Sequence, residues 1–162
     1  MAHSLVKIQI ENANTFLQES VARIEEFLNS TTLQSLQGEK DGDPVFYKGI
    51  ASNLRRLCVF CEESLDTCQL LLNKEDFSKQ AAEKTLYRIY HQCIEEFFSP
   101  KSDLWYEDSR SAYTGKNSIK FRKSVPSSVE QLMRDLEQPF QKMREELEYY
   151  ETDYATKITQ NK

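Results

Sequence analysis

Between residues 44 and 73 the side chains of Tyr47, Ile50, Leu54, Leu57, Cys61, Leu65, Cys68 and Leu72 recur at steps of three and four. That rhythm places them on one face of a helix packed along its whole length at a shallow angle, and it excludes a strand, whose period is two. Asp43 before Pro44 marks its start: Asp accepts from the free amides of a first turn, and Pro at the first position loses no useful donor.

Three further segments share the pattern. From Ser4 to about Asn29 the stripe is Ile10, Ala13, Leu17, Val21, Ile24 and Leu28. A third helix, capped by Asn73 with Asp76 in its first turn, carries Phe77, Ala82, Leu86, Ile89 or Tyr90, Cys93, Ile94 and Phe97, and ends before Pro100. The fourth, with Ser127 and Glu130 as a capping box, follows Val129, Leu132, Leu136, Phe140, Met143, Leu147, Tyr150, Tyr154 and Ile158. Pro139 is expected to kink this helix without ending it. Within the connection 30–43, Leu33 and Leu36 are expected to form a short turn. The short link between the second and third helices makes them antiparallel. Four such stripes bury one another as an all-α, antiparallel up-and-down four-helix bundle, a single domain over 1–162.

Residues 99–126, SPKSDLWYEDSRSAYTGKNSIKFRKSVP, break the rhythm and form a long insertion between helices three and four. Ala112–Thr114 and Ser118–Phe121 flank a Gly-Lys-Asn turn, and Ile119 and Phe121 alternate with Lys120 and Arg122, the pattern of a short β-hairpin. The net charge is -5, which disfavours a general polyanion binder and makes nucleic acid an unfavoured partner. Six of the cations nevertheless fall in the insertion, against three carboxylates, giving a basic surface on an acidic body. The N-terminus lacks the continuous apolar core of a signal peptide, and no segment approaches the roughly 20 apolar residues that span a bilayer. With Cys58, Cys61, Cys68 and Cys93 all in helical patterns, the expectation is a cytoplasmic protein with reduced thiols and no membrane partner.

The segments RRLCVFCEE (55–63), AAEKTLYRIYHQCIEEFFSPKSDLWYEDSRSAYTGKNSIKF (81–121) and REELEYYETDY (144–154) resemble the YpuI-type family of Bacillus and related Gram-positive bacteria, a family of unknown function. The resemblance spans nearly the whole chain. It implies a bacterial cytosolic setting and carries over no catalytic residue.

Several constellations are weighed on their residues. His91 and Glu95 share a helical face, but a bundle di-iron centre needs two Glu-x-x-His pairs and the only other histidine is His3. Cys58, Cys61, His91 and Cys93 are zinc ligand types, yet Cys61 and Cys68 sit where small apolar residues belong, so buried thiols are the expectation. Thr114-Gly115-Lys116-Asn117-Ser118 fails as a phosphate loop: Arg110 stands at the first glycine position and Asn117 at the hydroxyl position. Lys116, Lys120, Arg122 and Lys123, with Arg110, could hold a phosphate or carboxylate. Glu95, Glu96, Asp103, Glu107 and Asp108 bracket the insertion and could bind a divalent cation or do acid-base work beside Arg110 and Lys116, but they show no recognisable catalytic spacing. Trp105, Tyr106, Tyr113 and Phe121 suit a protein-binding hot spot or a plug packed on Phe97 and Phe98, and an insertion this long must bury at least half of them to stay ordered. Tyr149, Tyr150 and Tyr154 read as the broad face of helix four.

The chain is therefore expected to be a non-catalytic interaction module that binds a partner protein, or itself, through the insertion. The candidate residues are Trp105, Tyr106, Glu107, Asp108, Arg110, Tyr113, Lys116, Asn117, Lys120 and Arg122. No metal, cofactor or catalytic residue is assigned. The alternatives are a small-anion or nucleotide-binding protein or enzyme with its site between insertion and bundle, and single-strand nucleic acid binding.

Overall fold

The structure is a computed structural model that describes residues 2–108, 110 and 117–160, with side chains from Leu5 onward. It is mostly helical: α1 Ala2–Ser30, α2 Leu33–Glu39, α3 Pro44–Asn73, α4 Lys79–Arg88, a π-helical turn Ile89–Ile94, α5 Glu95–Phe98, α6 Ser127–Glu146, a 3₁₀ turn Glu148–Tyr150 and α7 Asp153–Gln160. Two short strands, β1 Trp105–Glu107 and β2 Ile119–Phe121, pair antiparallel. α1 packs against α3, α4 and α6, and α4 also lies against α3. Leu17, Leu54, Leu57, Leu86, Phe97, Leu136 and Phe140 are fully buried in the shared core, each contributing about 1.5–3 kcal/mol by leaving water. Phe97 stacks on Phe140 at 4.3 Å, and Phe16 meets the same ring edge-on at 4.8 Å.

The start of α3 is as expected, with the Asp43 carboxylate accepting from the Val45 amide. The Leu33–Leu36 turn is a full short helix, closed by a reciprocal Thr32–Ser35 capping box that buries Leu36.

Other boundaries differ from the sequence expectation. Asn73 closes α3 and does not cap the next helix; Ser78 does, accepting from the Ala81 amide, so Asp76 and Phe77 lie in the connection. Ser127 forms no capping box. Pro126 occupies the cap position without a side-chain bond, and the carboxylate of Glu39, arriving from the end of α2, accepts from both the Ser128 amide and its hydroxyl at 3.2 and 2.6 Å. A distant anion thus serves the positive end of α6, a role local pattern cannot reveal.

The fourth stripe is not one helix. α6 runs through Pro139 and breaks after Glu146, where Leu147 takes φ -101°, ψ 16°. Glu145, Glu146, Glu148, Glu151 and Asp153 crowd this segment. Like charges at helical neighbour spacing oppose continuation, and carboxylates near a helix C-terminus oppose its dipole. The stripe survives the break, since Leu147, Tyr150 and Tyr154 remain buried.

The third helix is also irregular. Within the π-helical turn Ile89, Tyr90, Cys93 and Ile94 are all buried, so the choice between Ile89 and Tyr90 does not arise. Widening the turn brings two neighbouring residues inward where an α-helix would favour one.

Candidate functional site

The hairpin is not the expected one. Ile119–Phe121 is a strand, but its partner is Trp105–Glu107, in the register Trp105↔Phe121, Tyr106↔Lys120, Glu107↔Ile119; Ala112–Thr114 and the Gly-Lys turn lie outside the described residues. Two further bonds extend the ladder, from the Asp108 amide to the Ser118 carbonyl and from the Arg122 amide to the Leu104 carbonyl. Asp103 and Asn117, one ahead of each strand, take left-handed φ of 57° and 56°. Asp and Asn tolerate that conformation better than bulkier residues do.

Residue alternation decides what the hairpin buries. Trp105 faces inward, is fully enclosed, and donates its indole N–H to the Phe97 carbonyl at 2.6 Å. It is therefore a plug. Phe121 lies beside it at 5.7 Å. Glu107, on the same face, receives the Arg144 guanidinium in two bonds of 2.9 and 2.7 Å, and Arg144 Cζ stands over the Phe98 ring at 3.7 Å. Burial alone depresses Arg144, and the Glu107 carboxylate more than offsets it, leaving its pKa above the ordinary value. The Ser118 amide donates to Glu137 Oε1 at 3.0 Å in the interior, while Glu137 Oε2 is buried without a partner among the described residues. Ahead of β1, Leu104 packs where Gly49 leaves α3 bare: a methyl there would stand 3.1 Å from Leu104 Cδ1. Ser102 donates to the buried Asn53 at 2.8 Å.

The outward face carries the remaining candidates. Tyr106 is 37% exposed, with the Arg122 guanidinium 4.1 Å above its ring. Arg122 also pairs with Asp103 at 2.9 Å. Lys123 reaches Asp43 at 2.6 Å, and this contact, with the Val45 amide, holds the Asp43 carboxyl below the ordinary carboxylate range. Asp108 accepts from the Arg110 amide, closing a local turn beneath the exposed Arg110. Tyr113 and Lys116 lie outside the described residues.

Between β2, the segment after it and α6 lies a cleft of about 340 Å³. Asn117, Lys120 and Arg122 meet there with Lys123, Arg134, Glu130 and Glu137. Tyr106 and Glu107 instead line a separate depression of about 500 Å³ with Tyr90, Arg144 and Glu151. Arg110 lines neither. The described candidates thus divide into an inward-facing anchor (Trp105, Glu107), a cationic cleft (Asn117, Lys120, Arg122), a ring in the neighbouring depression beneath the Arg122 guanidinium (Tyr106), and a local turn (Asp108, Arg110).

Arg134, Glu137 and Arg144 were missed by sequence reasoning. Their signal was faint but present: Glu137 is four residues after Met133 and three before Phe140, on the inner side of the apolar stripe, where a carboxylate demands a polar partner.

Among the described residues Cys58, Cys61, His91 and Cys93 do not gather at one point; Cys58 lies instead with Glu25 and Glu62, their ligand atoms within 4.8 Å of one another. His91 lies 2.9 Å from Glu95 Oε1 through Nδ1 and 3.0 Å from the Tyr150 carbonyl through Nε2, tying the π-helical turn to the C-terminal segment. Cys93 contacts Cys61 and lies 3.7 Å from the Ser64 hydroxyl. Cys58 donates to Glu62 at 3.3 Å, and burial first, then Glu62, pushes its thiol up to about 12. All four cysteines are buried and free, Cys61, Cys68 and Cys93 at the stripe positions and Cys58 beside them.

No helix among the described residues is long and apolar enough to cross a membrane. No solved structure matches the chain. It is 48% identical over 151 residues to the Bacillus subtilis (strain 168) protein described as uncharacterized protein YpuI, covering 93% of this chain and 84% of that relative. The expected resemblance to that family is therefore shown, and since residues 10–156 match its model, the chain belongs to the family described as protein of unknown function, DUF3907.

Proposed function

We propose that this chain is a non-catalytic cytoplasmic binding module, one domain on a scaffold of four antiparallel rods, whose cleft between hairpin and α6 receives an acidic segment of a partner protein. The observation that carries the reading is that Lys120, Arg122, Lys123 and Arg134, from two separate elements, surround one open cleft of about 340 Å³, four cations against two carboxylates. Their ion pairs with Asp103, Asp43 and Glu130 are surface pairs. Such pairs contribute about 0–1 kcal/mol, so an incoming carboxylate can replace them at little cost. The bordering Tyr106 and Arg122 are residue types enriched where proteins meet. For the non-catalytic part of the reading, four of the five carboxylates that bracket the insertion are engaged, Glu95 with His91, Asp103 with Arg122, Glu107 with Arg144 and Asp108 with a backbone amide, while Glu96 is buried 3.8 Å from Arg56.

The test is fluorescence anisotropy of the full chain with a labelled Asp/Glu-rich peptide, inorganic phosphate as competitor, and a single-stranded oligonucleotide in parallel. Peptide binding that weakens as salt rises, and is lost in a Lys120→Glu, Arg134→Glu variant with an unchanged melting curve, is the expected result. Competition by millimolar phosphate would favour the small-anion alternative, and oligonucleotide retention the nucleic-acid one. Absence of peptide binding at low salt overturns the proposal.

A further inference from the structure

A second groove, of about 590 Å³, runs between α4 with its π-helical turn and the C-terminal α7. It shares no lining residue with the hairpin cleft. Lys84, Tyr87, Arg88 and His91 fall at i, i+3, i+4 and i+7, so one face of the rod presents them together. Tyr154 and Ile158 stand across from them on α7.

Three observations point to a ligand. First, the volume lies within the range of small-molecule sites, and the walls mix aromatic and aliphatic surface with a few polar groups. Tyr87 and His91 lie 4.3 Å apart, Tyr87 and Tyr154 5.6 Å, giving a continuous aromatic wall. Burial first, then Glu83, raises the pKa of the Tyr154 hydroxyl, which keeps that wall uncharged. Second, the cations here have no carboxylate partner among the described residues. Among the described residues no carboxylate oxygen lies within 4 Å of Lys84 or Arg88, whereas Arg122, Lys123 and Arg134 at the hairpin all have one. Two like charges one helical turn apart repel, and an anion between them removes that penalty. Third, one wall includes the π-helical turn, a local irregularity found frequently at functional sites.

We propose that this groove binds a planar aromatic molecule carrying an anionic group, its ring against Tyr87, His91 and Ile158 and its charge held by Lys84 and Arg88. The acidic groups nearby, Glu83, Glu95 and Glu151, do not line the groove, although Glu95 is paired with His91 and Glu83 acts on the Tyr154 hydroxyl, so Lys84 and Arg88 are the charged side chains that line it. Ile158, 37% exposed at the rim, is covered by the ligand ring.

The test is calorimetric titration and amide NMR on the full chain with three probes: naphthoate, uncharged naphthylmethanol and inorganic phosphate. Naphthoate is expected to shift resonances in 84–92 and 154–159 and to bind about tenfold or more tighter than the alcohol, the difference that charge-assisted contacts supply. Phosphate alone should leave those resonances in place. Lys84 and Arg88 are both exposed, so the Lys84→Gln, Arg88→Gln variant keeps the fold, and it should bring naphthoate down to the affinity of the alcohol without changing the latter. Equal affinity for acid and alcohol, phosphate binding as tight as naphthoate, shifts outside the groove, or no binding overturns the proposal.

Discussion

The hairpin and the C-terminal arm from Leu147 to Gln160 are both excursions resting on the same helical body, yet they are held by different forces. The hairpin is pinned by directional bonds at fixed points: the Trp105 indole on the Phe97 carbonyl, the Ser118 amide on Glu137, and Glu107 on Arg144. The arm rests mainly on ring surface. Tyr150 and Tyr154 lie 5.3 Å apart, Tyr87 meets Tyr154, and one imidazole reaches the Tyr150 carbonyl. Directional bonds specify one geometry and strand a buried group when a partner is lost. Ring packing is non-directional, gives way gradually, and leaves a groove beside it.

The largest expected contrast comes from truncating the anchor of each region. Trp105→Ala should cost about 3–5 kcal/mol in urea unfolding through cavity and transfer losses, and it also strands the Phe97 carbonyl. Tyr154→Ala should cost about 1–2 kcal/mol, because a terminal arm can detach locally while the body stays folded. Equal losses would erase the distinction.

A smaller effect sharpens it. Glu137→Ala removes the acceptor of a buried amide and should cost about 1–3 kcal/mol. Amide exchange should accelerate around Ser118 and leave Tyr150 unchanged. Loss of protection at both places would mean the two excursions are coupled.

The smallest effect is expected in alkali. Burial raises Tyr90, beside the arm, from 10.0 to about 12, and raises Tyr150 as well. A phenol whose folded pKa is raised stabilises the fold below the unfolded pKa, and that contribution fades as pH rises from about 10 toward 12. Arg144, raised further above its already high value, still holds Glu107 there. Tyrosinate absorbance should therefore rise together with loss of the arm's ring signals, before the Trp105 fluorescence changes. Trp105 responding first would reverse the ranking of the two attachments.

Much of the helical body was legible beforehand because burial on a helix leaves a periodic trace. Leu54, Leu57, Cys61 and Cys68, or Val129, Leu136 and Phe140, announce an inward face from spacing alone. The adjacent apolar pairs Ile89-Tyr90, Cys93-Ile94 and Phe97-Phe98 repeat every four residues and read as one ordinary helical stripe, so the π-helical turn over Ile89–Ile94 was not legible from spacing. The site was only partly legible. Composition singled out the insertion, and Asn117, Lys120 and Arg122 do meet, but Arg134 and Glu137 complete the cleft from a helix whose pattern concerns its own packing.

Acidic crowding after Glu145 lies in the chain itself, as does the alternation that aims Trp105 and Glu107 to the same side of their strand. These follow from covalent order, since period and charge spacing are properties of neighbours. Which strand Ile119 would pair with, that Glu39 would serve the start of α6, that Arg144 would clamp Glu107, and that Lys84 and Arg88 would have no carboxylate beside them among the described residues were decided only when distant segments met. Each depends on a bond or a vacancy between groups tens of residues apart, and the geometry that makes or denies it exists only once the apolar faces have closed.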